Sequence, residues 1–168
     1  ATGTGSTTFI KYTMNGTWIS GTPLPVALTG GSLTACNGKL YYIGGSAAVT
    51  TGGTGVYEYD PSTGVWTTKA PLPIALSGHG SVAWGDSVIF VVGGPYTGSG
   101  TNLNIQFFRA TANIWGTITA SLPAAQGRRT FALGMSGNKI IMSGGFNTAF
   151  LKTTWVGTLG SDATQLTW

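Results

Sequence analysis

At 168 residues the chain is long enough for one domain with a sizeable core, since a compact fold of that size buries about two-thirds of its unfolded surface. Charged residues make only 7% against a usual share of about 25%, while hydrophobic residues make 42% and aromatics 11%; with 28 Gly and 27 Thr, this composition excludes a disordered chain and a helical bundle and points to short strands joined by Gly-rich turns. The net charge of +4 comes from 8 Lys+Arg against 4 Asp+Glu, with Arg128–Arg129 the only adjacent pair, so it supplies no basic stripe for nucleic acid.

Residues 1–8 read as a flexible Gly/Thr/Ser segment, and residues 9–168 as one repeating unit. A strand over 9–12 precedes Trp18, where a further strand opens. After Leu24-Pro25 comes a strand at 32–36, the turn pair Asn37-Gly38, and the apolar run Leu40-Tyr41-Tyr42-Ile43 closed by Gly44-Gly45. A strand over 56–59 and the turn Asp60-Pro61-Ser62-Thr63-Gly64 then lead to Trp66. The same order returns: Leu72-Pro73, 80–84, Gly85-Asp86, Ile89-Phe90-Val91-Val92, Gly93-Gly94, 105–108, Trp115. It returns again with Leu122-Pro123, 130–135, Gly137-Asn138, Ile140-Ile141-Met142-Ser143, Gly144-Gly145, 154–159 and Trp168.

Three independent markers share the period. The Gly-Gly doublets are 49 and 51 residues apart, the Leu-Pro steps 48 and 50, and the tryptophans 48, 49 and 53. Each period reads as four strands, with turn pairs supplying the positive φ of tight hairpins. The apolar runs before Gly-Gly lack polar alternation and are expected to be buried on both faces. A four-stranded sheet cannot bury both faces alone, so the copies are expected to stack face to face around an axis as a β-propeller, with Trp66 and Trp115 between neighbouring sheets. The final strand is expected to be only starting at Trp168.

The pattern of an apolar run, Gly-Gly, an aromatic, six residues and Trp resembles the kelch-repeat propeller family. Tyr59 to Trp66 and Phe108 to Trp115 fit, Tyr12 to Trp18 is one residue short, and Trp155 to Trp168 departs through the longer turn at Gly160-Ser161-Asp162. Gly78-His79-Gly80-Ser81 is similar to the start of a kelch first strand; Gly30-Gly31-Ser32 and Gly127-Arg128-Arg129-Thr130 lack the His. The resemblance implies an all-β, kelch-like propeller of four-stranded antiparallel blades that is incomplete in this chain. Further blades are expected from a longer chain or from other subunits. An isolated chain should then expose two sheet faces rich in Val, Ile and aromatics, and self-associate.

The inventory for chemistry is short. His79 is the only histidine and Cys36 the only cysteine, so no metal cluster, disulfide or His-rich cofactor site is expected, and Cys36 reads as a small buried hydrophobe. Asp60, Asp86 and Asp162 read as turn formers, Glu58 points away from Tyr57 and Tyr59, and no two acids share a cleft as a glycosidase requires. Val88–Val92 is the longest apolar run, far too short to span a bilayer. Asn15-Gly16-Thr17 fits a glycosylation acceptor.

A binding surface remains. The loops after the doublets, 46–55, 95–102 and 146–153, carry Tyr96, Phe146 and Phe150, and the segments leading into first strands carry His79, Arg128 and Arg129. The expected ligand-binding set is therefore Arg128, Arg129, His79, Tyr96 and Phe146, with no cofactor, facing a protein or glycan surface. Side chains alternate along a strand, so only one of the two arginines can face the inner opening; the alternative is that each ties down a neighbouring loop carbonyl. The expected function is non-catalytic binding or display on an extracellular or virion surface. The alternatives are a fragment of a sugar-modifying propeller enzyme and a protein-interaction adaptor.

Overall fold

The computed structural model describes residues 5–47, 52–94, 105–118, 122 and 127–168. Among them every regular element is a strand, fourteen in all. Three sheets have four antiparallel strands each, in simple sequence order. Sheet A is β3 (Ser32–Cys36), β4 (Lys39–Ile43), β5 (Val56–Asp60) and β6 (Val65–Thr68). Sheet B is β7 (Gly80–Trp84), β8 (Val88–Val92), β9 (Ile105–Arg109) and β10 (Ile114–Thr117). Sheet C is β11 (Ala132–Ser136), β12 (Lys139–Ser143), β13 (Thr154–Leu159) and β14 (Leu166–Thr167). A half-sheet of β1 (Ile10–Tyr12) and β2 (Trp18–Ser20) precedes them.

The sheets fan out from their first strands: β7 lies beside β3 on one side and β11 on the other. A backbone ladder stitches that inner edge, with Gly78 N–H donating to Gly30 C=O at 2.7 Å and Thr130 N–H to Gly78 C=O at 2.8 Å. The three rungs share a left-handed backbone, φ 69° at Gly30, 69° at Gly78 and 50° at Thr130. A β-branched residue is strained there, and the bend delays β11, which starts at Ala132 rather than at the expected 130.

Two apolar clusters fill the gaps between sheets. Between A and B lie Cys36, Tyr41, Ile43 and Val56 against Ile89, Val91, Phe108 and Trp115. Between B and C lie Phe90, Val92, Ile105 and Phe107 against Ile140, Met142, Leu159 and Trp168. The Trp115 indole N–H donates to Ala70 C=O at 2.8 Å, and Trp66, which packs toward the half-sheet against Phe9, donates to Thr22 C=O at 2.8 Å. Both tryptophans thus lie where their spacing put them, each pinned to the segment leading out of the preceding sheet.

Only β8 is buried along its whole length; β4 and β12 alternate. The expectation for all three apolar runs therefore holds for the one sheet that has a full neighbour on either side. Sheet C also departs at its end. Its fourth strand precedes Trp168 instead of starting there, because the turn closed by Gly160 N–H to Gln165 C=O returns the chain early. At the register position of Tyr59 and Phe108 sheet C has Gly157, and a Cβ there would come within 3.1 Å of the Trp168 ring. The indole fills the space that the missing aromatic leaves.

Phe90 is fully buried, so Phe90→Ala should lower unfolding free energy by about 3–5 kcal/mol. Val156→Ala, on the open face of sheet C, should cost less than about 1 kcal/mol. Urea unfolding followed by tryptophan fluorescence measures both.

Candidate functional site

Each first strand and each doublet meet at one end of the fan, and the short turns lie at the other. At the doublet end the backbones close tightly. A Cβ on Gly44 would meet His79 Cε1 at 2.6 Å, and one on Gly93 would meet Phe131 Cε1 at 2.5 Å. Both glycines are left-handed, and their partners Gly45 and Gly94 donate to the next segment, at Leu76 C=O and Arg128 C=O. His79 and Phe131 thus occupy the same place: each is a plug beneath the preceding doublet.

His79 is accordingly 7% exposed and belongs to the seam between sheets A and B. Its Nε2 lies 2.9 Å from Ser32 Oγ, and Nδ1 has no hydrogen-bond partner among the described residues. Burial pushes its pKa down to about 4, a backbone contact to Ile43 opposing this.

Arg128 is 1% exposed. It stands two residues before the left-handed position, where the preceding segment has the fully buried Leu76. Its guanidinium donates to Gly144 C=O at 2.9 Å, Thr153 C=O at 3.2 Å and Thr153 Oγ1 at 3.1 Å. It is the arginine that ties down loop carbonyls, holding both ends of the loop after the third doublet. Burial lowers its pKa from the usual guanidinium value.

Arg129 points elsewhere. Its backbone and that of Phe146 exchange two hydrogen bonds of 3.0 Å, as Thr29 and Ser46 do in sheet A. Where sheet A has two small polar residues, sheet C has a cation over an aromatic ring, with Arg129 Cζ 4.7 Å from the Phe146 centroid. Phe150 completes the group, edge-on to Phe146 at 5.3 Å and 90% exposed. The exposed Lys152 lies in the same loop. Of the expected site residues, Arg129 and Phe146 are brought together at the surface, Arg128 and His79 are buried in seams, and Tyr96 lies outside the described residues. Phe150 is the addition; its position after Gly-Gly was visible, its pairing with Phe146 was not.

The acids stand away from this group. Asp60 pairs with Lys39 at 2.5 Å and caps its turn by accepting from Ser62 N–H, which holds its carboxyl well below the usual range. Asp162 likewise accepts from Thr164 N–H and faces Arg109 at 3.5 Å. Asp86 lies in the β7–β8 turn. Glu58 faces sheet B, accepts the Tyr41 hydroxyl at 2.6 Å and pairs with Lys69 at 3.3 Å. Burial, then Glu58, pushes the Tyr41 pKa up. Cys36 is 2% exposed, and burial raises its thiol pKa.

Residues 27–73 match the Kelch motif. The matched stretch carries the whole of sheet A, so that sheet is a kelch blade, and sheets B and C repeat its strand order and inter-sheet seams. The fold is all-β, with kelch-like propeller blades that do not close into a ring. No curated protein matches the chain. Kelch repeats generally serve as protein-interaction modules. Among the described residues no helix is long and apolar enough to cross a membrane.

Removing the Arg128 donors strands the carbonyls of Gly144 and Thr153. Arg128→Ala should therefore cost about 2–4 kcal/mol, read as a lower urea midpoint, whereas Arg129→Ala should cost under about 1 kcal/mol.

For His79 the folded pKa of about 4 lies below the ordinary 6.5. The unfolded chain therefore binds the proton more readily between those values. Stability is full above pH 6.5, declines by at most about 1.4 kcal/mol per pH unit as pH falls toward 4, and gains no further slope from this group below that. His79→Gln should flatten that limb of the stability–pH curve relative to the native chain, measured by urea titration at a series of pH values.

Proposed function

We propose that the protein is a non-catalytic recognition module that grips a protein partner at the doublet end of its sheets, with Arg129, Phe146 and Phe150 as the central contact. The observation that carries this reading is the cation–aromatic–aromatic group on the loop after the third doublet, held open by a buried arginine whose contacts serve the loop. Aromatic and arginine side chains dominate the energy of protein interfaces, and a rigid platform loses little entropy on binding. The Kelch motif supports an interaction role of the same kind.

The low charge and the Thr/Gly-rich composition support display outside the cell or on a virion, where such a module would serve adhesion or recognition. The described residues favour contact over catalysis: the acids are engaged in turns and ion pairs, and the histidine is a plug.

The test is selection of binders from a displayed protein library on the native chain, followed by affinity measurement on variants. Phe150→Ala and Arg129→Ala should each weaken the selected binders at least about tenfold, with unfolding midpoints held. Binders indifferent to both variants, while native affinity is intact, would place the contact surface elsewhere.

A further inference from the structure

The plug beneath the doublet differs in kind between the two seams. In the register of the sheets Ser32 and Gly80 hold the same place, each paired across its hairpin with the residue before the doublet, Ile43 or Val92. In the seam between sheets B and C the plug is Phe131, and it packs on Gly80, where a Cβ would meet Phe131 Cε2 at 3.3 Å. In the seam between A and B the plug is His79, and it meets Ser32, with Nε2 2.9 Å from the hydroxyl oxygen. A polar pair therefore stands where the next seam has an aromatic ring on bare backbone. Gly31, His79 and Phe131 each follow a left-handed rung of the inner ladder, and of these three only His79 can change charge.

The ring is enclosed on two sides. A Cβ on Gly44 would meet its Cε1 at 2.6 Å and its Nε2 at 3.3 Å, and a Cβ on Gly94 would meet the His79 Cβ at 3.4 Å. Ser32 serves only Nε2, and Nδ1 has no hydrogen-bond partner among the described residues. An imidazolium donates from both nitrogens and needs an acceptor at each. The titratable and charged side chains around the seam are Cys36, Tyr41 and the pairs Glu58–Lys69 and Lys39–Asp60 of sheet A, Asp86 in the β7–β8 turn, and Arg128 and Arg129 on the segment seated against Gly93 and Gly94. None of them acts on the His79 pKa: burial lowers it to about 4, opposed only by the Ile43 backbone.

We propose that His79 is an acid-released latch, whose protonation opens the seam between sheets A and B and leaves the seam between B and C shut. A cation there has no acceptor at Nδ1 and no room to turn between Gly44 and Gly94, so it is satisfied only in water. Its departure lifts the segment that carries it. Two backbone bonds seat that segment and break with it, Gly45 N–H to Leu76 C=O at 2.9 Å and Gly78 N–H to Gly30 C=O at 2.7 Å. Phe131 has no proton to take up, and the bond from Gly94 N–H to Arg128 C=O holds. The released ring binds its proton with the ordinary value of 6.5 and the seated ring with about 4. The latch is therefore shut above pH 6.5 and is released progressively as pH falls toward 4. It belongs to the seam between two complete sheets and stands independently of the Arg129–Phe146–Phe150 group.

Amide hydrogen exchange on the native chain, corrected for the intrinsic pH dependence of exchange, tests this. From pH 7 to pH 5 protection of the Gly45 and Gly78 amides should fall about twentyfold, and that of the Gly94 and Arg129 amides by less than about twofold. His79→Phe, which puts the plug of the next seam in this one, should remove the acid-dependent loss. His79→Gln, polar but without a titration in this range, should do the same and guards against a phenylalanine that does not fit beside Ser32, with far-UV circular dichroism as the check of folding. Protection unchanged between the two pH values, an equal loss in both seams, or a native-like loss in a folded variant would each overturn the latch; an equal loss would show that acid acts on the whole fold.

Discussion

The close backbone contact at each Gly-Gly doublet sets the geometry on which the rest depends. A sheet can lie against its neighbour only if the incoming segment passes directly over the doublet, and that passage leaves no room for a Cβ at Gly44 or Gly93. The left-handed backbone there also turns amide groups toward the incoming carbonyls of Leu76 and Arg128. Once the segment is seated, a side chain of the next first strand, His79 or Phe131, drops beneath the doublet and the two apolar sheet faces close on each other. The inner-edge ladder and the tryptophan-to-carbonyl bonds then repeat from sheet to sheet because they are set by the same separation.

The candidate site grows at the third of these doublets. At the third doublet a Cβ on Gly144 would meet only Leu151 C=O, at 3.7 Å, among the described residues. The loop that follows must be held from within, and Arg128 does this with donors that reach Gly144 and Thr153. A leucine at that place seals an apolar seam between sheets; an arginine buried by its stem and satisfied at its head anchors a loop instead. Its neighbour Arg129 is thereby turned to the surface with Phe146. The chain spends one arginine on loop structure and exposes the other.

Charge follows the same economy. Three of the four acids serve turns at the far end of the fan, and three of the acids pair with Lys39, Lys69 and Arg109. The doublet end carries Arg128, Arg129 and Lys152 with no acid in its loops, so a modest net charge gains a direction.

Much of the fold was legible in the sequence because its determinants are local and repeated. Positive-φ turn pairs, Gly-Gly doublets and tryptophans at near-constant spacing fixed strand order, and a period common to three markers required stacked sheets. The steps from 59 to 66 and from 108 to 115 were visible as a resemblance to kelch repeats, while the ring pairs they form across strands belong to the structure. What spacing could not reveal was environment. Whether β4, β8 and β12 are buried on one face or two depends on how many neighbours each sheet has. Gly157 and Trp168 exchange space across a register that an irregular turn shifts. At 128 and 129 two identical side chains take opposite roles, because one falls at the place of Leu76 in a closed seam and the other at the place of Thr29 on an open edge. Local spacing determines which residues recur; only the packing of one sheet on the next decides which of them meet water.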